Sequence, residues 1–79
     1  MEISLKKILE DIVKALVDKP EAISVTEQEE EDCTRLILRV DPDDMGKIIG
    51  KQGKIAKSIR TLMKAASNKE GKKIFVDIE

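Results

Sequence analysis

The sequence predicts a single α+β domain of two layers, in the order α-β-β-α-α-β, with three helices covering one face of a three-stranded mixed sheet. Three observations predict it. Apolar residues recur at three- and four-residue spacing over residues 3–18 and 45–66, but at every second residue over 21–30, 34–40 and 72–78. Proline, glycine or clustered acids punctuate these stretches. The chain of 79 residues has room for one core only, since domains run from about 50 to 250 residues.

In residues 3–18, Leu5, Ile8, Leu9, Ile12, Val13, Leu16 and Val17 form one stripe, and Lys6, Lys7, Glu10, Asp11 and Lys14 cover the other side. Pro20 stops the helix because its ring biases Lys19 away from helical angles. The mixed charges of the polar side suit a helix packed on a core, not one lying on an anionic bilayer. Residues 21–30 form a strand with Ile23 and Val25 inward, and Glu31 and Asp32 form a turn. Residues 34–40 follow with Leu36, Leu38 and Val40 inward and Arg35, Ile37 and Arg39 outward. Strands joined so closely pair as an antiparallel hairpin.

Asp41-Pro42-Asp43-Asp44 is a strand exit and a helix start, where one aspartate is expected to cap the helix. Met45, Ile48 and Ile49 face the sheet from a short helix that ends at Gly50. In the longer helix that follows, Ile55, Ile59, Leu62, Met63 and Ala66 form the buried stripe. At about 100° per residue, Lys54, Lys57, Arg60 and Lys64 fall on nearly the opposite side. Gly71 is placed as a left-handed cap closing that helix. Ile74, Val76 and Ile78 point inward from the last strand and Phe75 outward. A crossover between parallel strands is right-handed in nearly all cases.

Composition excludes several kinds of function. There is no histidine and one cysteine, so neither the usual zinc sites nor a Cys-His or Ser-His catalytic pair can be assembled within the chain. No catalytic residue, metal or cofactor is expected. One Phe, with no Trp or Tyr, disfavours nucleic-acid modules that stack bases on aromatics. Cys33 reads as a strand filler in a reducing cytosol. The first residues lack the pattern of a signal peptide and no segment approaches the roughly 20 apolar residues of a membrane span, so the expectation is a soluble, cytoplasmic protein.

The charges are unevenly distributed. The chain has 15 basic and 16 acidic side chains, yet between Met45 and Lys69 there are seven basic residues (Lys47, Lys51, Lys54, Lys57, Arg60, Lys64, Lys69) and no acid. A local field of that kind draws a polyanion whatever the net charge. Inside this window lies Gly50-Lys51-Gln52-Gly53, a turn whose ends lack Cβ atoms and so allow a foreign backbone to approach closely. Amides at the start of the following helix, with Lys51 and Lys54, suit that loop to phosphate. Gly46-Lys47-Ile48-Ile49-Gly50-Lys51 resembles a nucleotide-binding loop, but its glycine spacing is one short of that pattern and Gln52 takes the Ser/Thr position. The chain is not expected to be an enzyme.

In this setting Ile48-Ile49-Gly50-Lys51-Gln52-Gly53-Lys54 resembles the loop motif of the KH domain, and the order of elements is similar to its type II form. With Val17-Asp18-Lys19-Pro20-Glu21-Ala22 before the first strand and residues 41–49 after the second, the whole of 1–79 resembles the small stand-alone bacterial KH proteins of the KhpA (YlqC) family. The resemblance implies a cytoplasmic RNA chaperone or post-transcriptional regulator. Its implied partners are single-stranded RNA and either a second copy or a larger Jag/KhpB-type KH protein, in the setting of cell elongation, division, cell shape and cell wall organisation. On this resemblance Gly50, Lys51, Gln52 and Gly53 clamp a sugar-phosphate backbone, and Ile48, Ile49 and Ile55 help form the floor of an aliphatic groove for about four nucleotides. Lys47, Lys54 and Lys57 are assigned from position as surrounding charge. Many KH domains carry a large aliphatic residue where Ala56 stands, and a smaller one either widens the groove, weakens base contacts or serves helix packing.

Each of these residues also has a structural reading. Gly50 alone would serve as a helix cap and Gly53 as a turn residue, and Gln52 suits a backbone or a ligand partner equally. A second functional class is an assembly module, supported by outward-pointing Ile37 and Phe75 and by the small residues Ala65, Ala66 and Ser67. Nothing in the sequence reads a 2′-hydroxyl, so RNA and single-stranded DNA are not separated.

Overall fold

The computed structural model describes residues 4–68 and 73–79. Helix α1 spans Leu5–Lys14, strands β1 and β2 span Ser24–Glu29 and Cys33–Arg39, helices α2 and α3 span Met45–Ile49 and Lys54–Asn68, and strand β3 spans Lys73–Ile78. Single 3-10 turns occupy Pro20–Ala22, Pro42–Asp44 and Lys51–Gly53. The order is the expected one, and the fold is α+β.

The hairpin turns where expected, closed by the Glu30 N–H donating to the Cys33 carbonyl at 2.8 Å. Its antiparallel register sets Ser24 opposite Arg39 and Glu29 opposite Thr34. β3 pairs parallel to β2, with Cys33 opposite Lys73 and Leu38 opposite Ile78. The strand order β1-β2-β3 leaves β1 and β3 as the two edges. Alternation along the strands buries Val25, Leu36, Leu38, Ile74 and Val76 against Leu5, Leu9 and Val13 of α1, Ile48 of α2, and Ile59 and Met63 of α3. Deleting such a buried side chain to alanine costs about 2–5 kcal/mol, a large share of the stability of a domain this size.

Three local expectations are corrected. Helix α1 begins when the Ser4 hydroxyl accepts the Lys7 N–H, but it ends at Lys14, short of Asp18. The Asp18 and Lys19 N–H groups instead donate to the Asp44 carboxylate at 3.2 and 3.0 Å, which holds that stretch out of helical geometry and leaves Leu16 exposed. Residues 21–22 lie in the 3-10 turn started by Pro20, so β1 begins only at Ser24. On α3 the buried stripe is Ala56, Ile59, Met63 and Ser67, while Leu62 is 56% exposed. The stripe that meets the sheet is thus rotated from the expected one, and Ala56, at 5% exposure, serves helix packing. Of the aspartates before α2, Asp41 caps the 3-10 turn by accepting the Asp43 N–H at 2.9 Å, and Asp44 turns inward. Ile3 and the Gly71 cap lie outside the described residues.

Candidate nucleic-acid interface

The loop between α2 and α3 is built on backbone conformations that only a few residue types tolerate. The Gly50 N–H closes α2 by donating to the Gly46 carbonyl at 2.8 Å. Gly50 itself sits at φ +71°, ψ −177°, a region essentially confined to glycine. A Cβ added there would lie 2.6 Å from Cγ1 of Ile55, so the space beside Gly50 is already filled by the first turn of α3. Gly53, at φ +74°, differs: a Cβ added there meets nothing within 4 Å. Only at Gly53 does the missing side chain leave open space for a visitor. Between them Gln52 adopts left-handed angles, φ 57° and ψ 25°, and turns the chain with its side chain exposed.

Lys51, Gln52, Lys54 and Lys57 are exposed around this turn. Among the described residues Lys51, Lys54, Lys57, Arg60 and Lys64 form no ion pair with a carboxylate. Lys47 is placed differently. Its ammonium bonds the Asp18 carboxylate and lies 3.6 Å from Asp44, and the Asp18 bond holds its pKa above the ordinary lysine value. Burial would push the Asp44 carboxyl up, but the N–H groups of Asp18 and Lys19 and the Lys47 charge outweigh that and leave it below the ordinary aspartate value. Lys19 completes the cluster 3.0 Å from Asp43 and 3.7 Å from Asp41. Lys47 and Asp44, at 2% exposure, thereby fasten the short helix α2 to the segment after α1.

Of the aliphatic residues expected to floor a groove, Ile49 is 40% exposed and Ile55 is half-buried against Gly50, so both present surface near the loop. Ile48 is fully buried and supports the loop from within. A second concavity, of about 260 Å³, runs between α3 and the outer edge of β3 and is lined by Arg60, Lys64, Ile74, Phe75, Val76 and Asp77. Arg60 Nε donates to the Val76 carbonyl there at 3.2 Å.

Arg60 and Lys64 were not singled out as site residues by the sequence reading, which set them opposite the apolar face. At about 100° per residue Lys57, Arg60 and Lys64 lie within about 60° of one another, so helical spacing alone shows that they share a flank. What spacing does not reveal is that this flank borders a strand edge. Among the described residues no cluster of Cys, Asp and Glu is arranged to hold a metal ion, and no helix is long and apolar enough to cross a membrane.

Comparison with known proteins agrees with this geometry. The family described as "KhpA/KhpB, KH domain" matches residues 6–78. The RNA-binding protein KhpA of Clostridium perfringens is 55% identical over 74 residues, covering 94% of this chain and 99% of the relative. The RNA-binding protein KhpA of Aquifex aeolicus is 45% identical over 75 residues, covering 95% of each chain. Among solved structures, Era of Aquifex aeolicus bound to GDP shares the fold with a TM-score of 0.61 at 18% identity; the match covers 99% of this chain and 31% of Era. With a loop of this geometry, relatives this similar over almost their whole length and a family match spanning nearly every residue, the chain belongs to the KhpA/KhpB family of KH domains.

Proposed function

We propose that this chain, as a single KH unit in the cytoplasm, binds single-stranded RNA weakly and with modest base selectivity, and acts as an RNA chaperone or post-transcriptional regulator. Gly50, Lys51, Gln52 and Gly53 hold the sugar-phosphate backbone, with Gly53 as the point of closest approach. Lys54 and Lys57 add charge along the start of α3, and Ile49 and Ile55 offer apolar surface to the bases. The observation that carries this reading is the row of cations around an open-sided loop that no carboxylate neutralises among the described residues. The printed names of the relatives support RNA as the polyanion, and the family is one of RNA-binding proteins, not enzymes.

The test is a Lys51→Asp/Gln52→Asp double variant, whose changes fall on exposed side chains away from the core. Fluorescence anisotropy with a short mixed-sequence RNA is expected to show at least a tenfold loss of affinity while the circular dichroism spectrum is retained. Three phosphate contacts predict a log-log salt slope of about −2 for the parent. A folded double variant that binds as well as the parent refutes the clamp.

A second reading, assembly with another copy or with a larger Jag/KhpB-type protein in the control of cell elongation and division, is favoured by one observation. Phe75, 45% exposed, lies on the sheet face opposite the helices with half-buried Ile37, and the Arg35 guanidinium sits 5.7 Å from its ring centroid. Sedimentation that shows only monomer at high micromolar concentration removes the homodimer.

A further inference from the structure

The backbone clamp leaves unexplained the groove between α3 and β3. β3 is an edge strand, so half of its backbone groups face away from β2 with no strand to pair with. One of them, the Val76 carbonyl, is taken by Arg60 Nε at 3.2 Å. This bond has two effects. It satisfies an edge acceptor that would otherwise recruit another strand, and it fixes the plane of the guanidinium while leaving the four N–H donors of its two terminal nitrogens for other partners.

No carboxylate among the described residues claims those donors. Asp77 lines the same groove, but its carboxylate accepts from Arg35 Nη1 at 2.9 Å. Lys64 stands on the same flank of α3, and Ile74, Phe75 and Val76 supply the apolar part of the wall. From Gly53 to Arg60 the rise along the helix is about 10 Å. A strand held by its backbone at the loop therefore reaches this groove within one or two nucleotides, past Lys54 and Lys57.

We infer that this groove reads a base, and that Arg60, held by the Val76 carbonyl, selects a base with two adjacent hydrogen-bond acceptors on one edge. Guanine offers O6 and N7, and cytosine offers O2 and N3. Adenine sets a donor beside each of its accessible acceptors, and uracil separates its two carbonyl oxygens by an N–H. The planar fork of arginine matches a pair of adjacent acceptors in a way that the point charge of lysine does not. The inference rests on the RNA-binding reading above and adds to it a base class and a specificity-determining residue.

The experiment compares four decamer RNAs by fluorescence anisotropy: all-adenine, all-uracil, and an adenine background carrying one guanine or one cytosine at its centre. A well-formed bidentate contact is worth roughly a 5- to 150-fold preference. The single guanine or cytosine is therefore expected to raise affinity at least fivefold over both homopolymers. Replacing that guanine by 7-deazaguanine, which lacks the N7 acceptor, separates the two bases: loss of the preference identifies guanine read through N7, and preference for cytosine alone identifies the O2/N3 edge. Arg60→Lys keeps the charge and the salt slope but is expected to bring the preference close to one.

A preference near one in the parent protein overturns the inference without needing any variant, as does a preference that survives Arg60→Lys. If the Lys51→Asp/Gln52→Asp variant still loses affinity while all four RNAs bind the parent alike, the clamp stands and the base-reading groove falls. If no RNA binds, both fall. If Arg60→Lys leaves the preference unchanged but promotes self-association in sedimentation, the groove is a protecting edge against protein strands, and the base assignment is overturned.

Discussion

The two faces of this molecule carry similar numbers of cations and use them in opposite ways. On the open face of the sheet Arg35 sits 3.4 Å from Glu30 and 2.9 Å from Asp77, and Arg39 sits 2.8 Å from Glu79. Around the loop and along α3, Lys51, Lys54, Lys57, Arg60 and Lys64 have no carboxylate at ion-pair distance among the described residues. A cation already paired within the protein gains little by meeting a phosphate, because its own carboxylate must be displaced first. An unpaired one releases counterions from the nucleic acid at no such cost. Identifying a binding face from sequence therefore requires counting unpaired charge, and Lys47, inside the basic window but bonded to Asp18, illustrates the difference.

The largest change that would break this contrast is at the backbone of the loop. Gly50→Ala places a methyl group against Ile55 in a glycine-only conformation and is expected to destabilise the protein by about 3 kcal/mol, as measured by urea unfolding. Gly53→Ala meets open space and is expected to cost only about 1 kcal/mol, through its left-handed angles. Equal losses at the two positions would show that Ile55 does not fill the space beside Gly50.

Charge changes should have smaller effects and divide by face. Lys54→Met and Lys57→Met are each expected to lower the magnitude of the salt slope of RNA binding by about 0.7, the value of one phosphate contact. Arg35→Gln and Lys47→Met should leave that slope unchanged, since both cations are already paired. A slope that falls with Lys47→Met would place Lys47 on the RNA.

The smallest effect is expected in acid. The folded-state pKa of Asp44 lies below the ordinary value of 3.8. Its contribution to stability is therefore fully present above 3.8 and is lost as pH falls through the lower folded value. Thermal melts of the parent and of Asp44→Asn should differ near neutrality and draw together at the lowest pH. A constant difference across that range would contradict the assignment.

Much of this arrangement was legible in the residues. Period-two burial of Leu36, Leu38, Ile74 and Val76, the Glu31-Asp32 turn and the glycines of the loop needed no tertiary information. What escaped the sequence depended on contacts between distant segments. Helix α1 stops early because a carboxylate 26 residues away takes the Asp18 N–H. Ala56 displaces Leu62 from the core because the helix presses closely on its neighbours there, and hydrophobic spacing favours the larger residue when only the chain is read. Lys47 and Lys54 are the same residue type in one basic run, and only the position of Asp18 distinguishes their roles.

The Asp44 contacts also bear on how the protein matures. They join segments 25 and 26 residues apart in sequence, and the intervening chain is largely the β1–β2 hairpin. Closing a loop of that length carries an entropic cost that falls once the hairpin has drawn its ends together. Helix α2 has only five residues, too few to persist without tertiary support. The glycine loop that follows it is therefore ordered late, after the N-terminal half has assembled. A nascent or damaged chain with an unpaired hairpin would carry every residue of the loop motif and still not present it, so competence to engage a nucleic acid doubles as a readout of completed folding.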